Sequence, residues 1–127
     1  MKHVSLILLV FFLISCSPSQ NVDLNKVTRI AVSYPQKPRP VNSLPVSIDF
    51  DENSEEVIKI KKWLKDNRDG WKEYVVTSEK TLLRVFGYGF ILHISKSSVV
   101  FGSGVDGSRT RYVKPIKNGE FDYLSKP

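Results

Sequence analysis

Asn53-Ser54-Glu55-Glu56-Val57-Ile58-Lys59-Ile60-Lys61-Lys62-Trp63-Leu64-Lys65-Asp66-Asn67-Arg68-Asp69-Gly70-Trp71 is the stretch that decides the fold. At about 100° per residue, Val57, Ile60, Trp63 and Leu64 share one helical face, and Lys61, Lys65 and Arg68 another nearly opposite. Asn53 is the expected N-cap, with Glu56 three residues later completing a capping-box-like pair. Acid gathers in the first turn and Lys and Arg in the body and last turn, the arrangement the helix dipole favours. Gly70 is the expected stop. The spacing therefore predicts an amphipathic helix from about Ser54 to Arg68, with a core stripe and a basic stripe.

On either side the period changes to two. Ile30, Val32 and Tyr34 alternate with Arg29, Ala31 and Ser33, a half-buried strand over Val27–Tyr34. Pro35, Pro38, Pro40 and Pro45 then exclude helix and central strand and predict an extended loop, before a second strand at Val46–Phe50. After the helix, Glu73–Thr77, Leu82–Phe86, Phe90–Ser95, Ser98–Phe101 and Thr110–Ile116 read as strands between Gly, Ser and Lys turns. Gly87-Tyr88-Gly89 reads equally as a hairpin turn or as a bulge in one long strand. Asn118-Gly119 is a turn, after which Phe121, Tyr123 and Leu124 dock the C-terminus. Strands in runs, without βαβ alternation, predict an α+β fold: an antiparallel sheet of five to seven strands with one amphipathic helix packed on one face.

The chain has 127 residues, a length for one domain. Its 19 Lys and Arg against 13 Asp and Glu give a net charge of +6, with a pI near 9.5. With 41% apolar and 25% charged residues it is neither disordered, fibrous nor a multi-span membrane protein, and one cysteine excludes a disulfide scaffold.

That cysteine closes an N-terminal pattern. Met1-Lys2-His3 precedes Val4–Ile14, in which ten of eleven residues are apolar, and Ser15-Cys16 follows. Eleven residues cover roughly half of a ~30 Å hydrocarbon core, so the run suits a signal peptide and not a permanent span. Leu13-Ile14-Ser15-Cys16 resembles the lipobox of bacterial lipoproteins. The resemblance implies diacylglyceryl attachment at Cys16, cleavage before it and acylation of the new amine. The expected organisation is a signal peptide over residues 1–15, a lipidated Cys16 with a flexible tether to residue 26, and one globular domain over 27–127. Losing Lys2 leaves 18 basic against 13 acidic residues, a charge of +5. Ser17 is not the aspartate that retains lipoproteins in an inner membrane, so a cell with two membranes would carry the protein on its outer membrane, facing the periplasm.

Groups that could do chemistry are sparse. His93 alternates against Phe90, Leu92 and Ile94, and without a second His or a Cys in the domain it offers no zinc site. Asp49-Phe50-Asp51-Glu52-Asn53-Ser54 begins like a calcium loop, but Ser54 and Ile60 stand where Gly and Glu are needed. Gly102-Ser103-Gly104-Val105-Asp106-Gly107 fits a dinucleotide fingerprint, yet extended residues and Pro115 follow in place of a helix. No catalytic, metal or cofactor residue and no small-molecule substrate is expected. The chain reads as a non-enzyme.

Binding residues are easier to nominate. Lys61, Lys65 and Arg68 on the helix, and Arg109, Arg111 and Lys114 around Tyr112, carry much of the positive charge. Export argues against nucleic acid and for a protein partner, anionic lipid or a wall polymer. Trp71 is either core or an interface anchor. The helix-and-sheet pattern is loosely similar to small bacterial lipoproteins of immunity type. That resemblance implies a protein-binding module, an inhibitor or immunity protein; a structural or accessory envelope lipoprotein is the alternative.

Overall fold

The computed structural model describes residues 19–35, 46–74, 80–103 and 110–125. The expected signal peptide, Cys16, most of the proline-rich loop, residues 75–79 and the Gly-rich segment with Arg109 lie outside them. Seven strands form one open antiparallel sheet: β1 (Arg29–Tyr34), β2 (Val46–Asp51), β3 (Lys72–Glu73), β4 (Leu83–Gly87), β5 (Phe90–Ile94), β6 (Ser98–Ser103) and β7 (Thr110–Pro115). Their order is β2-β1-β4-β5-β6-β7-β3, and the helix α1 (Glu55–Asp66) packs on one face. The α+β architecture is the expected one.

The two-layer core follows from the two periods meeting. Val57, Ile60 and Leu64 of α1 are fully buried, against Ile30 and Val32 of β1, Val85 of β4, Leu92 of β5 and Val99 of β6. Every second strand residue faces the helix, so one register shift would turn this whole set to solvent. Edge pairing is discouraged by Asp49 and Asp51 on β2 and by the shortness of β3.

Local chemistry decides four points, of which the sequence leaves the hairpin open and the other three differ from expectation. The N-cap is Ser54, not Asn53: the Ser54 hydroxyl accepts from the Val57 N–H at 3.3 Å and donates to the Asp51 carbonyl. Asn53 instead closes a turn by donating its own N–H to the Asp51 carboxylate, so the expected capping box does not form. Leu83–Gly87 and Phe90–Ile94 are a hairpin with Tyr88-Gly89 as its loop, since Gly87 pairs with Phe90. Gly89 takes φ +75°, and a Cβ at Gly87 would strike the Phe90 ring. Of the strand expected over Glu73–Thr77, Glu73 is the only described strand residue, following Lys72 in β3; Tyr74 lies past its end and residues 75–77 lie outside the described residues.

The fourth point concerns residues 20–26, which are no flexible tether. Gln20 is 2% exposed, Val22 belongs to the core and Leu24–Lys26 forms a 3-10 turn. The Gln20 backbone donates to the Arg68 carbonyl at 2.9 Å, and its side-chain amide donates to the Leu64 carbonyl. Leu64 lies in the last turn of α1, where carbonyls lack partners inside the helix, and Arg68 lies two residues past its end. Gln20 supplies them, so the domain begins there and not at Val27.

The C-terminus docks as expected. Phe121 and Leu124 are buried, and the Tyr34 hydroxyl donates to the Leu124 carbonyl. The Tyr123 hydroxyl is buried with no hydrogen-bond partner among the described residues, and burial with Glu120 nearby raises its pKa. An unmet buried hydroxyl is destabilising, so Tyr123→Phe should raise stability by about 1 kcal/mol in urea unfolding. A lower midpoint would mean that the hydroxyl has a partner.

Candidate interaction surfaces

The basic residues grouped around Tyr112 do not share one surface: Lys114 joins the helix group and Arg111 does not. On α1, Lys65 is exposed and Lys61 is half-buried, and Arg68, expected within the helix, is exposed two residues past its end. Lys114 joins them from β7: its Nζ donates to the Asp69 carbonyl at 2.8 Å, just beyond the end of α1. Lys114 Nζ also stands 5.8 Å from the centre of the Trp71 ring. Arg111, three residues back, projects from the opposite side of the sheet. Tyr112 is half-buried on the helix side, opposite Phe101.

Trp71 is core. It is 1% exposed, edge-on to Trp63 at 5.9 Å and tilted against Phe101 at 5.8 Å. Its indole N–H donates to the Asn67 carbonyl at 2.6 Å. The anchor reading of this residue is therefore withdrawn. A ring at the end of an amphipathic helix can face either way by spacing alone, and the Lys72–Val113 pairing is what turns it inward.

The second surface is the sheet face away from α1. Register aligns Ser33, Arg84, His93, Val100, Val113 and Lys72 in one row across the strands. Ala31, Phe86, Ile91, Gly102 and Arg111 form the next. Phe86 is 39% exposed, and Tyr88 in the adjoining hairpin loop is 59% exposed. With Ala31, Asp49 and Lys26 they line a groove of about 330 Å³. Lys26 Nζ lies 5.5 Å from the centre of the Tyr88 ring. Gly102 leaves a dip between Ile91 and Arg111, where among the described residues only the Ile91 carbonyl comes near its missing Cβ.

The sequence reading missed Phe86, Tyr88 and Arg84. The signal was present: in Leu82–Phe86, burying Leu83 and Val85 forces Leu82, Arg84 and Phe86 to the other face.

His93 sits in the middle of this face as a neutral ring. Arg84 Nε donates to His93 Nδ1 at 3.3 Å, which leaves the ring proton on Nε2. Burial, then the charges of Arg84 and Arg111, hold its pKa below the usual 6.5. The unfolded chain thus takes up a proton near pH 6.5 and the folded one only at lower pH. Stability from this group is complete above pH 6.5 and is lost as pH falls. In urea unfolding from about pH 7 down to 5, His93→Gln should flatten that decline; an unchanged slope would contradict the assignment.

Among the described residues no group of three or more His, Cys, Asp or Glu is placed to hold a metal ion, and no helix is long and apolar enough to cross a membrane. No protein-family model, curated protein or solved structure matches the chain.

Proposed function

We propose that this chain is a small bacterial envelope lipoprotein, anchored through Cys16, that acts as a non-catalytic protein-binding module of inhibitor or immunity type. The observation that carries the binding role is the open sheet face. Phe86 and Tyr88 stand exposed beside a groove, with the half-buried Ile91 paired to Phe86, Arg84 in the adjoining row, and Val113 and Arg111 three strands away on β7. Exposed aromatics in one patch, flanked by arginine, have the composition of a binding hot spot and not of an ordinary solvated surface. The partner this face suits has an apolar knob ringed by carboxylates. The basic end of α1 supports a second reading, that of an accessory lipoprotein resting on anionic lipid or wall polymer.

Capture from envelope extracts tests the binding role. The native protein should retain a partner that Phe86→Ala with Tyr88→Ala binds at least about tenfold more weakly, mainly through faster dissociation. Arg84→Glu with Arg111→Glu should slow association and flatten its salt dependence. Lys65→Glu with Arg68→Glu should leave capture unchanged. Equal capture by all four proteins would refute the sheet-face assignment, and a turnover abolished by His93→Ala would refute the non-catalytic role.

A further inference from the structure

Gln20 does more than begin the domain: it determines which end of the domain lies nearest the anchor. Its backbone and side-chain amides are spent on the carbonyls of Arg68 and Leu64, and its side-chain oxygen accepts from the Val22 N–H at 3.2 Å. The incoming chain is thus fastened to the C-terminal end of α1 by buried hydrogen bonds.

Three residues, Ser17, Pro18 and Ser19, separate Gln20 from Cys16. Four steps at ~3.6 Å per residue limit that distance to roughly 14 Å, however those residues are arranged. A tether reaching residue 26 would have let the domain turn freely. A link this short does not, because α1 itself is about 18 Å long and its far end lies beyond the reach of the link.

The charge of this end suits a membrane. Lys65 and Arg68 are exposed and Lys114 is bonded to the Asp69 carbonyl. Among the acids of this end, Asp66 is already paired with Lys62 at 3.1 Å and the Glu120 carboxylate accepts from the Trp63 indole N–H at 2.8 Å.

We propose that the C-terminal end of α1 is the membrane-facing pole of the domain, with Lys65, Arg68 and Lys114 resting on anionic phospholipid headgroups. The inference rests on the lipid at Cys16. It leaves the open sheet face clear of the bilayer for its protein partner. Each basic residue near an anionic surface strengthens partition roughly fivefold, and salt screens the effect.

The test uses the mature lipidated protein in vesicles of phosphatidylcholine, with and without phosphatidylglycerol. Cys16 is blocked by lipid, so a cysteine introduced at Asp69 or at Glu52 is the sole free thiol and takes a fluorophore. Both positions are exposed and stand at opposite ends of α1. Lipids carrying a nitroxide on the headgroup should quench Asp69→Cys several-fold more than Glu52→Cys. Phosphatidylglycerol should widen the ratio, and Lys65→Glu with Arg68→Glu should reduce it. Equal quenching, or stronger quenching at position 52, from protein that stays on the vesicles would overturn the orientation and leave the tether reading intact. Protein that purifies with an unmodified Cys16 would overturn both.

Discussion

Trp71→Ala is expected to lower stability by about 3–5 kcal/mol, a large share of the 5–15 kcal/mol that holds a typical domain together. The ring is enclosed by Trp63, Phe101 and the Lys114 stem, and its N–H partners the Asn67 carbonyl. Truncation would remove the joint between the end of α1, β3 and β6 at once. It would also leave Asn67 with only the long, 3.4 Å contact from Gln20 on its carbonyl. Trp71→Phe should cost less, because it keeps most of the apolar volume and loses the indole N–H. Urea unfolding of the three proteins separates these terms. A loss below about 1 kcal/mol for the alanine variant would mean that the ring is peripheral and that the core has been misplaced.

Cys16→Ala is expected to move the protein from the membrane to the soluble fraction. Each buried methylene contributes about 0.8 kcal/mol, and stable attachment needs more than a single chain. The three cations at the end of α1 add attraction that salt screens, too weak to retain the domain alone. Washing membranes at low and high salt distinguishes the contributions. The native protein should remain bound under both conditions, and the variant should be released at high salt. A variant that stays bound at high salt would show that the protein is held by something other than lipid on Cys16.

The fold was legible because its signals are local and repeated. Val57, Ile60, Trp63 and Leu64 share a helical face at any tertiary arrangement, and Ile30, Val32 and Tyr34 share a strand face. Both groups are buried as their spacing requires. Choices resting on one residue or one long-range contact were less accessible. Asn53 and Ser54 are both good caps, and only the hydroxyl geometry of Ser54 decides between them. Gln20 lies in a polar stretch whose composition suggests a tether, and its partners are 44 and 48 residues away in sequence.

The candidate surfaces were half legible for the same reason. Charge count pointed to Lys65, Arg68 and Arg111; the odd spacing of Arg111 and Lys114 in a strand puts them on opposite faces, but it does not tell which of the two meets the helix end. Exposed aromatics are less conspicuous in a sequence than basic clusters, because most aromatics are core. Phe86 becomes visible only once the alternation of β4 is followed to its outer face.

The envelope role and the membrane-facing pole both rest on a lipid at Cys16, and the mass of the N-terminal peptide from membrane-extracted protein tests that premise most directly. The account predicts a mature chain that begins at Cys16, with diacylglycerol on its sulfur and an acyl group on its amine. A peptide beginning elsewhere, or a free Cys16 thiol, would contradict it.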